Sequence, residues 1–153
     1  NRAEFDHYKA WLDRVDDPKK VMHGSIADSV LPVVDHGQAE FVSDTAQILT
    51  EIGEEVFLSP SPGHSPGHVC IHARAGGAEA VVSGDVIHHP VQLDMPDLVM
   101  RADADSDLAA QSRRKVMEHC AGTGALLCAG HIPFHSISHV QEGGQAFRLA
   151  PAG

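Results

Sequence analysis

The period of the apolar positions changes as the chain proceeds. Phe5, Tyr8, Trp11, Leu12 and Val15 recur at three- and four-residue spacing, which predicts an amphipathic helix over 4–15, closed by Asp17-Pro18. Met22, Ile26 and Val30 continue a weaker helical pattern until Pro32 interrupts it. From Ala39 the texture shortens to strands at 40–43, 46–50 and 55–59, with Asp44-Thr45 and Gly53-Glu54 as turns. Residues 68–74 and 79–84 read as two further strands around Gly76-Gly77, a pair suited to a tight hairpin. A long loop from Ile87 to Ala104 contains Pro90 and Pro96.

Asp103, Asp105 and Asp107 start the next helix, since carboxylates favour the positive end of the helix dipole. Leu108, Ser112, Val116 and Cys120 form its core-facing stripe, and Gly122 and Gly124 end it. Ala125–Ala129 reads as a short buried strand, and Gln145–Leu149 as a final one. With no repeats and no linker-like stretch, the pattern predicts one mixed α/β domain, or part of one.

Composition narrows the function classes. A chain of 153 residues with 42% hydrophobic content can bury a core. Its formal net charge of −10 disfavours nucleic acid, and the one dense basic cluster, Arg113-Arg114-Lys115, reads as the solvated face of a helix. No apolar run reaches the ~18 residues a bilayer span needs, so no membrane partner is expected. Cys70, Cys120 and Cys128 are odd in number and lack Cys-x-x-Cys spacing, which suggests reduced thiols and a cytoplasmic location.

The chemistry concentrates in Ser61-Pro62-Gly63-His64-Ser65-Pro66-Gly67-His68, followed by Ser83-Gly84-Asp85 and later Gly130-His131. A doubled Pro-Gly-His makes a rigid, sharply turned loop that can aim His64 inward, although a proline-rich turn with a surface histidine is the plain alternative. Asp85 ends a predicted strand, where an Asp also serves as an ordinary turn residue. Its two oxygens could bridge two cations, which one imidazole nitrogen cannot do. His88-His89-Pro90 follows in the loop, and neighbouring histidines diverge too far to bind one ion readily.

The order His64, Asp85, His131 with a Pro-Gly turn at the first histidine resembles the second half of the metallo-β-lactamase fold hydrolases. The likeness is strongest from Val56 to Val91 and from Gly124 to Phe134, and Gly84-Asp85-Val86-Ile87-His88-His89-Pro90 is similar to the dinuclear lactonase and phosphotriesterase-like branches. The resemblance implies an α+β fold, the C-terminal half of an αββα sandwich. It further implies metal ligation by His64, Asp85 and His131, with Asp85 as the bridging catalytic carboxylate. His68 would support the site through hydrogen bonds, while His88, His89 and Phe134, with His135, would line a substrate pocket. The cofactor would be two divalent metal ions, Zn²⁺ or else Mn²⁺ or Fe²⁺, activating water against a small ester, lactone or phosphotriester.

Those hydrolases carry an earlier His-x-His-x-Asp-His motif that occurs nowhere in residues 1–153. The chain therefore reads as a truncated hydrolase with half a ligand set, weak or inactive alone. Two rivals stay open: a non-catalytic module that keeps the fold without metals, and a glyoxalase II-like thioesterase, disfavoured because only Arg148 is basic after His131. The expected partner is a small-molecule substrate, and a homo-oligomer is left open.

Overall fold

In a computed structural model of the chain, which describes residues 1–42, 55–133 and 136–152, six strands form one mixed sheet in the order β1 to β6. The strands are β1 (Val56–Pro60), β2 (Val69–Ala75), β3 (Ala78–Val82), β4 (Leu126–Cys128), β5 (Ile137–Gly143) and β6 (Ala146–Pro151). All neighbours pair antiparallel except β3 and β4, which are parallel. A parallel pair needs a long crossover, here supplied by α3 (Val91–Asp94) and α4 (Ser106–Thr123). The strand expected at 46–50 and the last residue of the one expected at 40–43 lie outside the described residues; 40–42 are not strand.

The helices follow from local chemistry. In α1 (Arg2–Leu12) the Asn1 side chain accepts from the Ala3 N–H at 2.7 Å, satisfying one free donor of the first turn. Helix α4 is capped by Asp105, whose carboxylate accepts from the Leu108 N–H at 3.0 Å, and ends at Gly124 in the left-handed region (φ 75°). Residues Met22–Gly24 and Ile26–Val30 make 3₁₀ and π turns, leading into α2 (Leu31–Asp35). Pro32 does not interrupt this segment. It sits in the first turn of α2, where a missing N–H costs nothing.

Register separates the two faces of the sheet. One transverse row runs His72, Val81, Leu127 and Ser138, all buried beneath α4 with Met117 and Cys120. Each fully buried large apolar side chain there contributes about 1.5–3 kcal/mol. The adjacent row, on the opposite face, runs Leu58, Ile71, Val82, Cys128 and Ile137. Ile71, Val82 and Ile137 in it are 41%, 45% and 54% exposed, so an apolar stripe lies uncovered across the sheet. Strand β5 was not anticipated, because Ser138 points into the core while Ile137 and His139 face outward, against the usual alternation.

One cluster behaves unlike its sequence reading. Arg114 is on the surface, paired through two 2.7 Å bonds with Asp97, but Arg113 is fully buried. Its guanidinium donates to the backbone carbonyls of Val86, Pro96 and Leu98, holding the long loop after β3 against α4. A guanidinium can replace several lost water contacts at once, which is how this charge is accommodated inside.

Candidate metal centre

The loop between β1 and β2 is shaped by a close approach that only glycine permits. Gly63 has φ +133°, and a Cβ there would stand 2.1 Å from the Ala109 nitrogen in α4. The loop is tied to the start of α4 by bonds from the Asp105 N–H to the Gly63 carbonyl (2.9 Å) and from the Ala104 N–H to that of His64 (3.1 Å). Ser112 donates to the Pro62 carbonyl at 2.6 Å. Helix α1 braces the far end, where Glu4 accepts from the Gly67 N–H at 2.8 Å.

These ties aim His64. Its Nδ1 lies 3.2 Å from Oδ1 of Asp103, a carboxylate only 1% exposed, which also accepts from the Met100 N–H. An imidazole whose Nδ1–H is given to a carboxylate presents the Nε2 lone pair on its other side. That Nε2 is 3.3 Å from Oδ2 of Asp85. Asp103 was read from the sequence as a helix-start carboxylate; its contact with His64 spans 39 positions and left no local signal.

Asp85 stands beyond the end of β3, after Gly84 at φ +51°. Its second oxygen, Oδ1, is 2.9 Å from Nε2 of His131, delivered by the turn after β4. One carboxylate thus faces a different imidazole at each oxygen. Burial pushes its pKa up, but the bond from His131 and the nearby His64 outweigh this and hold it below the usual range.

His68 lies behind this arrangement. Its Nε2 accepts from the Asp85 backbone N–H at 3.1 Å, and its Nδ1 lies 2.7 Å from the Ser61 hydroxyl. Accepting at Nε2 requires a neutral ring with the proton on Nδ1, donated to Ser61. Burial, then the neighbouring His64, push the His68 pKa down in the same sense. Both ring nitrogens are engaged, and what His68 holds is the backbone of Asp85.

His88 is drawn further in than the sequence suggested. Its ring stacks on His131 (centroids 5.1 Å, 15°) and lies 4.7 Å from that of His64. Ligand atoms of His64, Asp85 and His88 fall within 4.8 Å of one another, a spacing that could hold a metal ion. His89 is exposed, its Nδ1 accepting from the Val91 N–H at 3.1 Å. Phe134 and His135 lie outside the described residues. Gln92, unremarked in the sequence, is fully buried; it accepts from the N–H groups of His88 and His89 and donates to the Leu98 carbonyl.

A cavity of about 660 Å³ reaches His64. Tyr8, Trp11 and Met22 supply its apolar lining, and Lys19, Lys20 and His23 its basic groups. In the loop after Ile87, Met95, Leu98 and Val99 are 56%, 38% and 53% exposed, and none of them lines this cavity.

No family model and no curated protein matches the chain. Solved structures do. The hydrolase AbOPH of the beta-lactamase superfamily is 25% identical, with a TM-score of 0.73 over 84% of this chain and 43% of its own. AidC, a dizinc quorum-quenching lactonase solved with its N-hexanoyl-L-homoserine product, is 19% identical, with a TM-score of 0.72 over 97% and 49%. A probable metal-dependent hydrolase from Staphylococcus aureus is 16% identical, with a TM-score of 0.62 over 86% and 50%. The chain spans half or less of the length of each. Sheet, crossover helix and these structural neighbours agree: the chain has a fold similar to that of the metallo-β-lactamase superfamily hydrolases.

Proposed function

We propose that the chain is the C-terminal portion of a metal-dependent hydrolase acting on small ester, lactone or phosphotriester substrates, with His64, Asp85 and His131 as metal ligands and Asp85 as the bridging carboxylate. The observation that carries this reading is the placement of His131 Nε2 at 2.9 Å and His64 Nε2 at 3.3 Å from the two separate oxygens of Asp85.

The donor set fits divalent ions of the zinc type. Imidazole nitrogen and carboxylate oxygen both suit Zn²⁺, and Mn²⁺ and Fe²⁺ remain compatible. His64 would take one ion and His131 the other, with an Asp85 oxygen toward each. Bound ions of this kind supply Lewis acidity toward the substrate oxygen and lower the pKa of water to about 7. The chain's own residues fix that arrangement: Asp103 orients His64, His68 holds the backbone of Asp85, and Gln92 and Arg113 order the loop bearing His88.

Two further observations bear on completeness and substrate. The exposed row of Ile71, Val82 and Ile137 is what a sheet presents to a second sheet in a sandwich, so the remaining ligands would arrive with that layer. The lining of Tyr8, Trp11 and Met22 beside His64 suits an apolar acyl or aryl group. Lactonase activity is named for AidC, a structure like this one at 19% identity, and supports this branch without fixing a substrate for the chain.

The experiment is metal analysis and a substrate panel on the protein with and without an upstream His-x-His-x-Asp-His segment. The reading expects two divalent ions and hydrolysis of acyl lactones, aryl esters or phosphotriesters when that segment is present, and weak binding with little turnover in its absence. Dominant glutathione thioesterase or nuclease activity would overturn the branch. A folded, complete protein without metal would favour the non-catalytic module.

A further inference from the structure

A second group of ligand-type side chains lies on the helix-covered face of the sheet and shares no residue with the centre above. His72 on β2 and Glu79 on β3 point to the same face, because His72 pairs with Val81, two residues from Glu79. His119 descends on them from α4. Nδ1 of His72 is 2.6 Å, and Nε2 of His119 3.0 Å, from the same oxygen, Oε1, of Glu79. We propose that His72, Glu79 and His119 form a second divalent-metal site, taking Zn²⁺ or a similar transition ion through His72 Nδ1, Glu79 Oε1 and His119 Nε2.

The surrounding groups suit that role. The Ser59 hydroxyl lies 2.7 Å from His72 Nε2 and can take its N–H once a cation displaces the Nδ1 proton now shared with Glu79, which would free the Nδ1 lone pair for ligation. Arg74 donates to the other carboxylate oxygen, Oε2, at 3.2 Å, so Glu79 would bind through Oε1 alone. The three ligand atoms already lie within 4.8 Å of one another. Tetrahedral zinc with bonds of about 2.0–2.2 Å separates its ligands by about 3.4 Å, so the two contacts to Glu79, at 2.6 and 3.0 Å, need open only by fractions of an ångström.

Access exists as well. A cavity of about 340 Å³ borders the cluster, with Phe57, Lys115, His72 and His119 in its wall. Three protein ligands leave a fourth position open, and here it would face that cavity and accept water or a small anion. The ion would bind the β2–β3 hairpin to α4. The competing account is a clasp of hydrogen bonds alone, in which both imidazoles donate to Glu79 and no cation enters.

The test uses the full chain carrying His64→Ala, Asp85→Asn and His131→Ala, so that the first centre cannot contribute. After equilibration with Zn²⁺ and gel filtration, elemental analysis should find one zinc per folded chain, and Co²⁺ should give the visible absorption of a low-symmetry site. Glu79→Gln and His119→Ala on that background should each weaken Zn²⁺ binding by about 100-fold or more, and Ser59→Ala by about 10-fold. If Glu79→Gln fails to fold by circular dichroism, His119→Ala, at a part-exposed helix position, decides. A folded background chain without zinc, or unchanged affinity in the folded variants, would overturn the second site while leaving the first untouched.

Discussion

The backbone N–H of Asp85 donates to Nε2 of His68 at 3.1 Å, and a Cβ on the intervening Gly84 would stand 2.9 Å from that same nitrogen. His68 therefore acts on the centre through the position of Asp85. His68→Ala should lower metal affinity by about 10- to 100-fold without abolishing binding, as loss of a supporting partner does. Removing Asp85 itself should cost far more. Calorimetric titration of Zn²⁺ into the variants separates these cases. Equal losses for His68→Ala and Asp85→Ala would make His68 a ligand.

Gly63 sets the direction of His64, and its substitution should be among the most damaging in the chain. Gly63→Ala drives a methyl group into the backbone of Ala109 at a φ of +133° that alanine rarely adopts. A loss of about 3 kcal/mol or more is expected, read as a fall in the urea midpoint. Gly76→Ala provides the contrast: its Cβ would meet nothing within 4 Å, leaving only the cost of its φ of +59°.

Arg113 gives a prediction opposite to its sequence reading. Arg113→Met keeps the bulk but strips donors from the Val86 and Pro96 carbonyls, while the Leu98 carbonyl retains Gln92. A cost of about 3 kcal/mol is expected by denaturant unfolding. Arg114→Met, at a surface ion pair, should cost under about 1 kcal/mol. Lysine should not rescue position 113, since one ammonium cannot span carbonyls that a planar guanidinium reaches.

The two buried thiols should be inert in the folded chain. Burial raises the pKa of Cys70, and takes Cys120 to about 12, where about one molecule in ten thousand is thiolate at pH 8. A disulfide reagent at pH 8 should label Cys70 and Cys120 only after denaturation. Rapid labelling of Cys120 in the native chain would contradict the packing beneath α4.

What could be read from the residues was whatever local chemistry decides. Gly76-Gly77 marked the hairpin, and both residues have positive φ (59° and 82°). Asp105 and Gly124 bound α4 as capping rules require. The Ser61–His68 loop and Asp85 were recognisable because their turn residues lie next to the groups they aim. Contacts made by folding were not legible. Asp103 reaches His64 across 39 positions. Arg113 looks like its exposed neighbour until the carbonyls of 86–98 wrap it. Strand β5 hid because Ser138 lies inside and Ile137 outside, on the face that a second sheet would cover.

The most direct test of the centre is anomalous diffraction at the zinc edge from crystals equilibrated with Zn²⁺. The account predicts density about 2.0–2.2 Å from Nε2 of His64 or of His131, shared with an oxygen of Asp85. Zinc ligated by His68 in place of His64, or no zinc at Asp85 in ordered crystals, would contradict it.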